Sequence, residues 1–365
     1  MARHERFVMG LEIESYTIQT PEFRISRELA FPRPGVGEKG ERFGRDWSIG
    51  TEYNSRPFST IREGLFLLKA GLRKYSQKHY RSKSRSRKGT QLLLVGGWRD
   101  RYAGTHIHMS VAERKLTKED ARHLAWHLHD HIPLLVAMGA NSPVWADELT
   151  NTASNRVAGA SRIYFHPIRR TRLTSKSTEE MLFSRGRKTK PPTLELRILD
   201  SNLPEYVMAT ACVIKAVALG WMDGRKAANR IPHAAYLRSR ADAAERGMKA
   251  KLCWNGEWIS ASRYLDRFIW VFREEMTGMD VPHDVWTTMR LIKKGYTGSR
   301  IIAEAARRAH DEHPQTWQRR FAKRYVGALD HLLSGNSILD FMRRLKVEPP
   351  EIGETWLGRR RLKLL

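Results

Sequence analysis

Four stretches of this 365-residue chain alternate apolar with polar or ionisable side chains. GLEIES sets Glu12 and Glu14 against Leu11 and Ile13, with Met9 on the apolar side. DWSIGTEYNSR carries Asp46, Ser48, Glu52, Asn54 and Arg56 at one parity. GTHIHMS puts His106, His108 and Ser110 on one side and Ile107 and Met109 on the other. TLELRILD sets Glu195 and Arg197 against Leu194, Leu196 and Ile198. Alternation with period two is the pattern of a half-buried strand. One face of each strand then meets a core, and the other carries carboxylates, imidazoles and cations. Such groups are costly to gather unless they are solvated, paired or bound to a metal. Glu12, Glu14, Asp46, Glu52, His106 and Glu195 make a set suited to divalent cations. Carboxylate oxygens favour hard Mg²⁺ or Mn²⁺, and one imidazole is compatible with Mn²⁺. Arg156, Arg162 and Arg197 suit phosphates or a carboxylate through forked hydrogen bonds. The plainer alternatives are surface carboxylates on an edge strand and ordinary surface cations.

The elements that must position these groups follow from local pattern. Strands are expected at 6–19, 46–56, 91–96, along the histidine stretch, and at 193–199. A long loop rich in Gly, Pro and charge fills 20–45. Helices are expected at 57–80, 117–139 with Thr117 as N-cap, and 205–222. VGGW at 95–98 reads as a turn. Beyond about residue 226 the patterns are mostly helical, as in ASRYLDRFIWVFREEM and GSRIIAEAARRAH. A soft boundary near 225 separates a mixed part from a helical, basic part. His123, His127 and His131 share a helical face at a spacing that could bind Zn²⁺, but no further ligand is evident, so an ordinary helix is the reading. Cys212, Trp270, Phe272, Trp286 and Trp317 read as core.

Composition bounds the class. Hydrophobic residues make up 41% and aromatics 9%, which fits a folded chain with a sizeable core. No apolar run of transmembrane length is evident, and MARHERFVMGLEIES lacks a signal core. Two cysteines are too few for a disulfide scaffold, so a reducing cytoplasm is expected. The net charge of +26 favours polyanions such as nucleic acid. Part of it is clustered in RSKSRSRK (81–88), RRTRLTSK (169–176), RGRKTK (185–190) and RRRLK (359–363). These runs read either as solvated loops or as a polyanion surface.

The order of the motifs GLEIES, IGTEYN, GTHIHMS, NRVAGASRI and LELRILD resembles the glutamine synthetase superfamily of carboxylate–amine ligases, over about residues 8–215. The resemblance implies an α+β fold: a curved antiparallel sheet, the catalytic half-barrel of that family, packed by helices. Residues 1–225 would form the catalytic domain and 226–365 a helical, basic C-terminal region. It implies that Glu12, His106 and Glu195 hold one metal, and that Glu14, Glu52 and Asp46 hold another. His108 and Ser110 would lie next to the nucleotide. Arg156, Arg162 and Arg197 would hold phosphates and the reacting acyl phosphate. ATP with Mg²⁺ or Mn²⁺ would be the cofactors. The first acidic motif lies near residue 8, leaving no room for the β-grasp domain that precedes the barrel in glutamine synthetase. That is more similar to the glutamate–cysteine ligases and to ligases that join a small protein to lysine. The amine is then expected to be larger than ammonia. Asp147 and Glu148 are candidates, by position, for the group that deprotonates it.

Three functions follow from these residues. The leading one is an ATP-dependent ligase that forms an amide or isopeptide bond through an acyl phosphate. The second is a phosphotransferase of the related guanidino-kinase type. The third is a nucleic-acid-binding protein on a degenerate ligase fold. A combined reading places the carboxylate or the amine on a macromolecule.

Overall fold

The computed structural model describes residues 3–26, 35–36, 40–44, 49, 51–80, 89–159, 167–169, 173, 179–187 and 190–353. The first half runs β1 (Phe7–Glu14), β2 (Tyr16–Thr20), β3 (Arg24–Ser26), β4 (Gly35–Val36), β5 (Arg42–Gly44), β6 (Glu52–Asn54), α1 (Ile61–Tyr80), β7 (Gly89–Leu93) and β8 (Gly104–Val111). Then come α2 (Lys118–His129), α3 (Ile132–Gly139), β9 (Val144–Trp145), β10 (Glu148–Leu149), α4 (Asn155–Gly159), β11 (Met181–Ser184) and β12 (Thr193–Asp200). After α5 (Pro204–Met222) and α6 (His233–Arg246), a hairpin of β13 (Lys251–Trp254) and β14 (Glu257–Ser260) precedes α7 (Ala261–Val271) and α8 (Arg273–Thr277). The chain continues through α9 (His283–Lys293), α10 (Gly298–Glu312), α11 (Trp317–Leu333) and α12 (Ile338–Arg344).

The site strands lie in one open antiparallel sheet of seven strands, in the order β11-β12-β8-β1-β6-β5-β4. This is the α+β architecture that the sequence predicts. Leu11 faces Ile107, and Met9 faces Met109, across the ladder from β1 to β8. Leu194 and Leu196 continue the same apolar column on β12. These side chains are buried, and α3 and α5 pack onto the sheet. The helix α5 has the length and composition to cross a bilayer, unlike anything noted in the sequence pattern, but 89% of its apolar window is buried inside this fold. Its one cation, Lys215, donates to the carbonyls of Phe7 and Ser59 beneath β1, and burial pulls it down to about 8. The apolar core is continuous from β1 into the helices beyond residue 226.

Several expected elements are divided. The strand expected at 6–19 breaks at Ser15, whose N–H donates to the Thr51 carbonyl. β2 then leaves for a separate sheet with β3 and β7. The helix expected at 117–139 is two helices. Thr117 and Asp120 cap α2 with a reciprocal pair of hydrogen bonds, as expected. The break comes at Asp130–His131, where Pro133 opens α3 and the buried Asp130 accepts from the Ile231 N–H. His131 is buried whereas His123 is exposed and His127 half-buried, and the three do not gather their donor atoms as a metal site would. The β13–β14 hairpin was not expected, although Asn255–Gly256, both at positive φ, form the turn that such a pair favours. Trp270 is 65% exposed, with the Arg273 guanidinium 4.8 Å from its ring, so it is not core. Phe272 and Cys212 are buried, and Trp286 and Trp317 pack partly against the core.

His131 sits among Trp254, Tyr264, Phe268 and Phe272, with Nδ1 3.0 Å from the Tyr264 hydroxyl. Burial pushes it down to about 3 from its ordinary 6.5. Between those values the unfolded chain holds a proton that the folded chain does not. Stability therefore falls as pH drops below 6.5, by up to about 1.4 kcal/mol per pH unit. Urea unfolding of His131→Phe at pH 7, 5 and 4 should show a flatter loss than the parent. Parallel curves would remove His131 as the cause.

Candidate functional site

The reverse face of the sheet is built by register. Glu12 lies opposite His106 on β8 and opposite Asn54 on β6, and Glu14 lies opposite Glu52. On β8, His108 lies opposite Gly10 on one side and Glu195 on the other. Side chains directly opposite each other share a face. The ladder thus delivers Glu12, Glu14, Glu52, His106, His108 and Glu195 to one surface.

The distances show how tightly they converge. His106 Nδ1 is 3.3 Å from Glu12 Oε2 and 3.6 Å from Glu195 Oε1, and its Nε2 is 3.5 Å from Glu14 Oε1. His108 Nε2 is 3.3 Å from Glu12 Oε1, and its Nδ1 is 3.1 Å from Thr193 Oγ1. One donor atom each from Glu12, His108 and Glu195 lie within 4.8 Å of one another. Two imidazoles, rather than His106 alone, therefore border the carboxylates. Burial pushes the Glu12 carboxyl up, but hydrogen bonds and charge from His106 and His108 outweigh it and hold the group well below the usual carboxylate range. Burial likewise pushes His108 down, but the hydrogen bond and charge of Glu12, with Glu195 behind it, raise it above the ordinary histidine value. The two shifts have one cause: a carboxylate and an imidazole that favour each other's charged forms.

The arginines differ in exposure. Arg197 donates from Nη1 to Glu195 Oε1 at 2.6 Å and remains partly open to solvent. Arg156 is 2% exposed, and its Nη2 donates to the Arg197 carbonyl at 2.8 Å. Its guanidinium lies against Gly104, where any side chain would collide with it. The Gly104 N–H donates to Glu14 Oε2 at 2.5 Å. Ser110 donates to the Pro192 carbonyl at 3.0 Å, on the same face as His108.

Asp46 and Arg162 lie outside the described residues, as do the basic runs 81–88 and 359–363 and most of 169–176. Three further residues also belong here: Asn54, already at the parity of Glu52 in IGTEYN, and Thr193 and Lys190, which no motif singled out. Asn54 donates to Glu52 Oε1, Thr193 meets His108, and Lys190 brings its ammonium to 3.8 Å from Glu12 Oε1. Thr193 shares the parity of Glu195, which is the signal that could have found it. Asp147 and Glu148 stand apart from the carboxylate cluster. Asp147 is in the β9–β10 turn, paired with Arg99 at 3.1 Å. It helps line a cleft of about 430 Å³ with Arg24, Trp317 and Arg319, and no carboxylate of the sheet face lines that cleft.

Solved structures of known ligases share this architecture. The complex of the prokaryotic ubiquitin-like protein Pup with its ligase PafA matches with a TM-score of 0.60 and 13% identity, over 95% of this chain and 81% of that one. PafA in complex with ADP matches at 0.56 and 12%, over 87% and 77%. A bifunctional glutathione synthetase from Pasteurella multocida matches at 0.56 and 13%, over 94% of this chain and 56% of the other. The chain shares the fold of these ligases. No protein-family model matches it, and no curated protein matches its sequence. In this fold the polar sheet face is where β1, β6, β8 and β12 bring their ionisable side chains together.

Proposed function

We propose that this protein is an ATP-dependent carboxylate–amine ligase that forms an amide or isopeptide bond. The observation that carries the reading is the convergence of Glu12, Glu14, Glu52, His106, His108 and Glu195 on one sheet face, beside Arg156 and Arg197. The fold and the ADP-bound neighbour support the same chemistry.

The donor set fits hard divalent cations. It is rich in carboxylate oxygen, carries two imidazoles, and brings Glu12, His108 and Glu195 close enough to share one ion. Glu12, Glu195 and the two histidines would hold one cation, and Glu14 and Glu52, with Asp46, a second. When bound, such ions offset the repulsion between an anionic carboxylate and a triphosphate. A substrate carboxylate oxygen attacks the γ-phosphorus of ATP, the bond to the bridging oxygen breaks, and ADP leaves. The amine nitrogen then attacks the acyl carbon, the bond to phosphate breaks, and the ammonium proton passes to solvent or to a base. Arg197, partly open to solvent, would meet the transferred phosphate, and the buried Arg156 would supply a fixed positive charge. Ser110, and His108 beside the first cation, would border the nucleotide.

The amine or carboxylate is proposed to belong to a macromolecule. PafA is seen with a protein partner, and the net charge of +26 favours a polyanionic one, nucleic acid included. The test is ADP formation from ATP with Mg²⁺ or Mn²⁺ across a panel of carboxylates and amines, with mass spectrometry of the products. A conjugate heavier by the amine minus water, formed only with both substrates, is expected. A stable phosphorylated product with no dependence on amine would make the protein a phosphotransferase instead.

A further inference from the structure

Asp200 ends the strand that carries Glu195 and Arg197, and it is buried. Its Oδ2 accepts from the Asn141 N–H at 2.7 Å and from the Ser142 hydroxyl at 2.9 Å, and its Oδ1 accepts from the Ser154 hydroxyl at 3.0 Å. Each hydroxyl hands the connection on. Ser142 Oγ accepts from the Arg156 N–H, and Ser154 Oγ from the Val157 N–H, both at 3.2 Å. One carboxylate thereby sets the turn of chain from which Arg156 projects. Asp200 is also the ladder partner of Gly104, the glycine under the Arg156 guanidinium and beside Glu14. Next in sequence, the Ser201 hydroxyl donates to the Glu14 carbonyl at 2.6 Å. The carboxylate needs room that only glycine leaves, since a Cβ at Gly96 would overlap it. Burial raises the Asp200 carboxyl, and the charge of Arg156 and the hydrogen bonds from Asn141, Ser142 and Ser154 pull the other way.

We propose that Asp200 is the positioning residue of Arg156. Through Ser142 and Ser154 it fixes the guanidinium beside Glu14, and it touches no substrate itself. The proposal rests on the ligase reading, in which Arg156 supplies charge to the reacting phosphate. A carboxylate accepts at both oxygens. Asparagine accepts at one, and its amide must then face a hydroxyl that already accepts from Val157.

The test compares Asp200→Asn, Arg156→Lys and the double variant. In Asp200→Asn, kcat for ADP formation should fall by about 10²-fold, the loss that a small misplacement of a catalytic group brings, with KM for the metal unchanged. The double variant should be no slower than Arg156→Lys, because both changes remove one device. Effects that multiply would overturn the proposal. The second readout needs no turnover: the ¹⁵Nε signal of Arg156 should shift and exchange faster with solvent in Asp200→Asn. An unchanged signal in the folded variant would also overturn it. A parent that forms no ADP from any substrate pair would count against the ligase reading, while the arginine signal would still judge Asp200. If Asp200→Asn does not fold, Ser142→Ala and Ser154→Ala remove one link each and should give smaller changes of the same kinds.

Discussion

Glu12→Gln will remove metal-dependent ADP formation from a protein that stays folded. Glu12 stands at the centre of the cluster, within 3.3 Å of both His106 and His108. Glutamine keeps the shape but loses the charge on which a hard cation depends. Stabilisation of transferring charge by a bound ion is worth several kcal/mol, so the expected loss in kcat is about 10³-fold or more. Calorimetry with Mn²⁺ alone should show the same loss in binding, and circular dichroism should show an unchanged fold. Undiminished turnover in folded Glu12→Gln would remove the metal assignment. Glu195→Gln should resemble it, with one difference: Arg197 loses its 2.6 Å partner, so its guanidinium loosens as well.

Arg240→Met should be the most destabilising single change outside the site, at about 3–5 kcal/mol. Glu180 is fully buried and accepts from Arg240 Nε, the Tyr236 hydroxyl and, at 3.3 Å, the Ile168 N–H. Removing the guanidinium strands a buried carboxylate with no countercharge. The double variant Glu180→Leu/Arg240→Met removes both charges and should recover much of the loss, since such pairs are often replaceable by apolar packing. Urea unfolding measures both. A double variant as unstable as the sum of the single changes would show that the two side chains act independently. The backbone gives this pair reach into the site, because the Glu180 carbonyl accepts from the Arg197 N–H at 2.9 Å.

The local features of this fold were legible because period and capping are local physics. The columns Met9–Leu11–Ile13 and Ile107–Met109 face the core as their alternation requires, and Thr117 caps its helix. Register is different. Nothing within GTHIHMS says that His106 will face Glu12, or that His108 will face Glu195, because register depends on strands about 90 residues away. That is why the two histidines read as separable in sequence, yet both approach Glu12 in space. The break at Ser15 was hidden for the same reason, since Thr51 and Leu93 create it. Pro133 marks the break between α2 and α3, but helical periodicity runs up to it in α2 and the apolar run IPLLVAMG continues beyond it. The buried knot at Asp200 joins segments around 96, 141, 154 and 200; LELRILD and the NRVAGASRI stretch that follows Ser154 had looked functional, whereas the segments at 96 and 141 had not.

β1 lies at the middle of its sheet, yet every strand that pairs with it comes later in the chain. Glu12 meets Asn54 first and His106 later, and β12 can add Glu195 only after β8 is in place. During synthesis the apolar column of β1 therefore waits for α5, which packs on it and ends more than 200 residues after β1. Pairings this distant close slowly, and an open apolar strand is prone to join another chain meanwhile. The carboxylates on its other face carry like charges, which keep a waiting strand from stacking flat on a second copy of itself. In the nascent chain the acidic face of β1 would thus favour solubility before the sheet around it has formed.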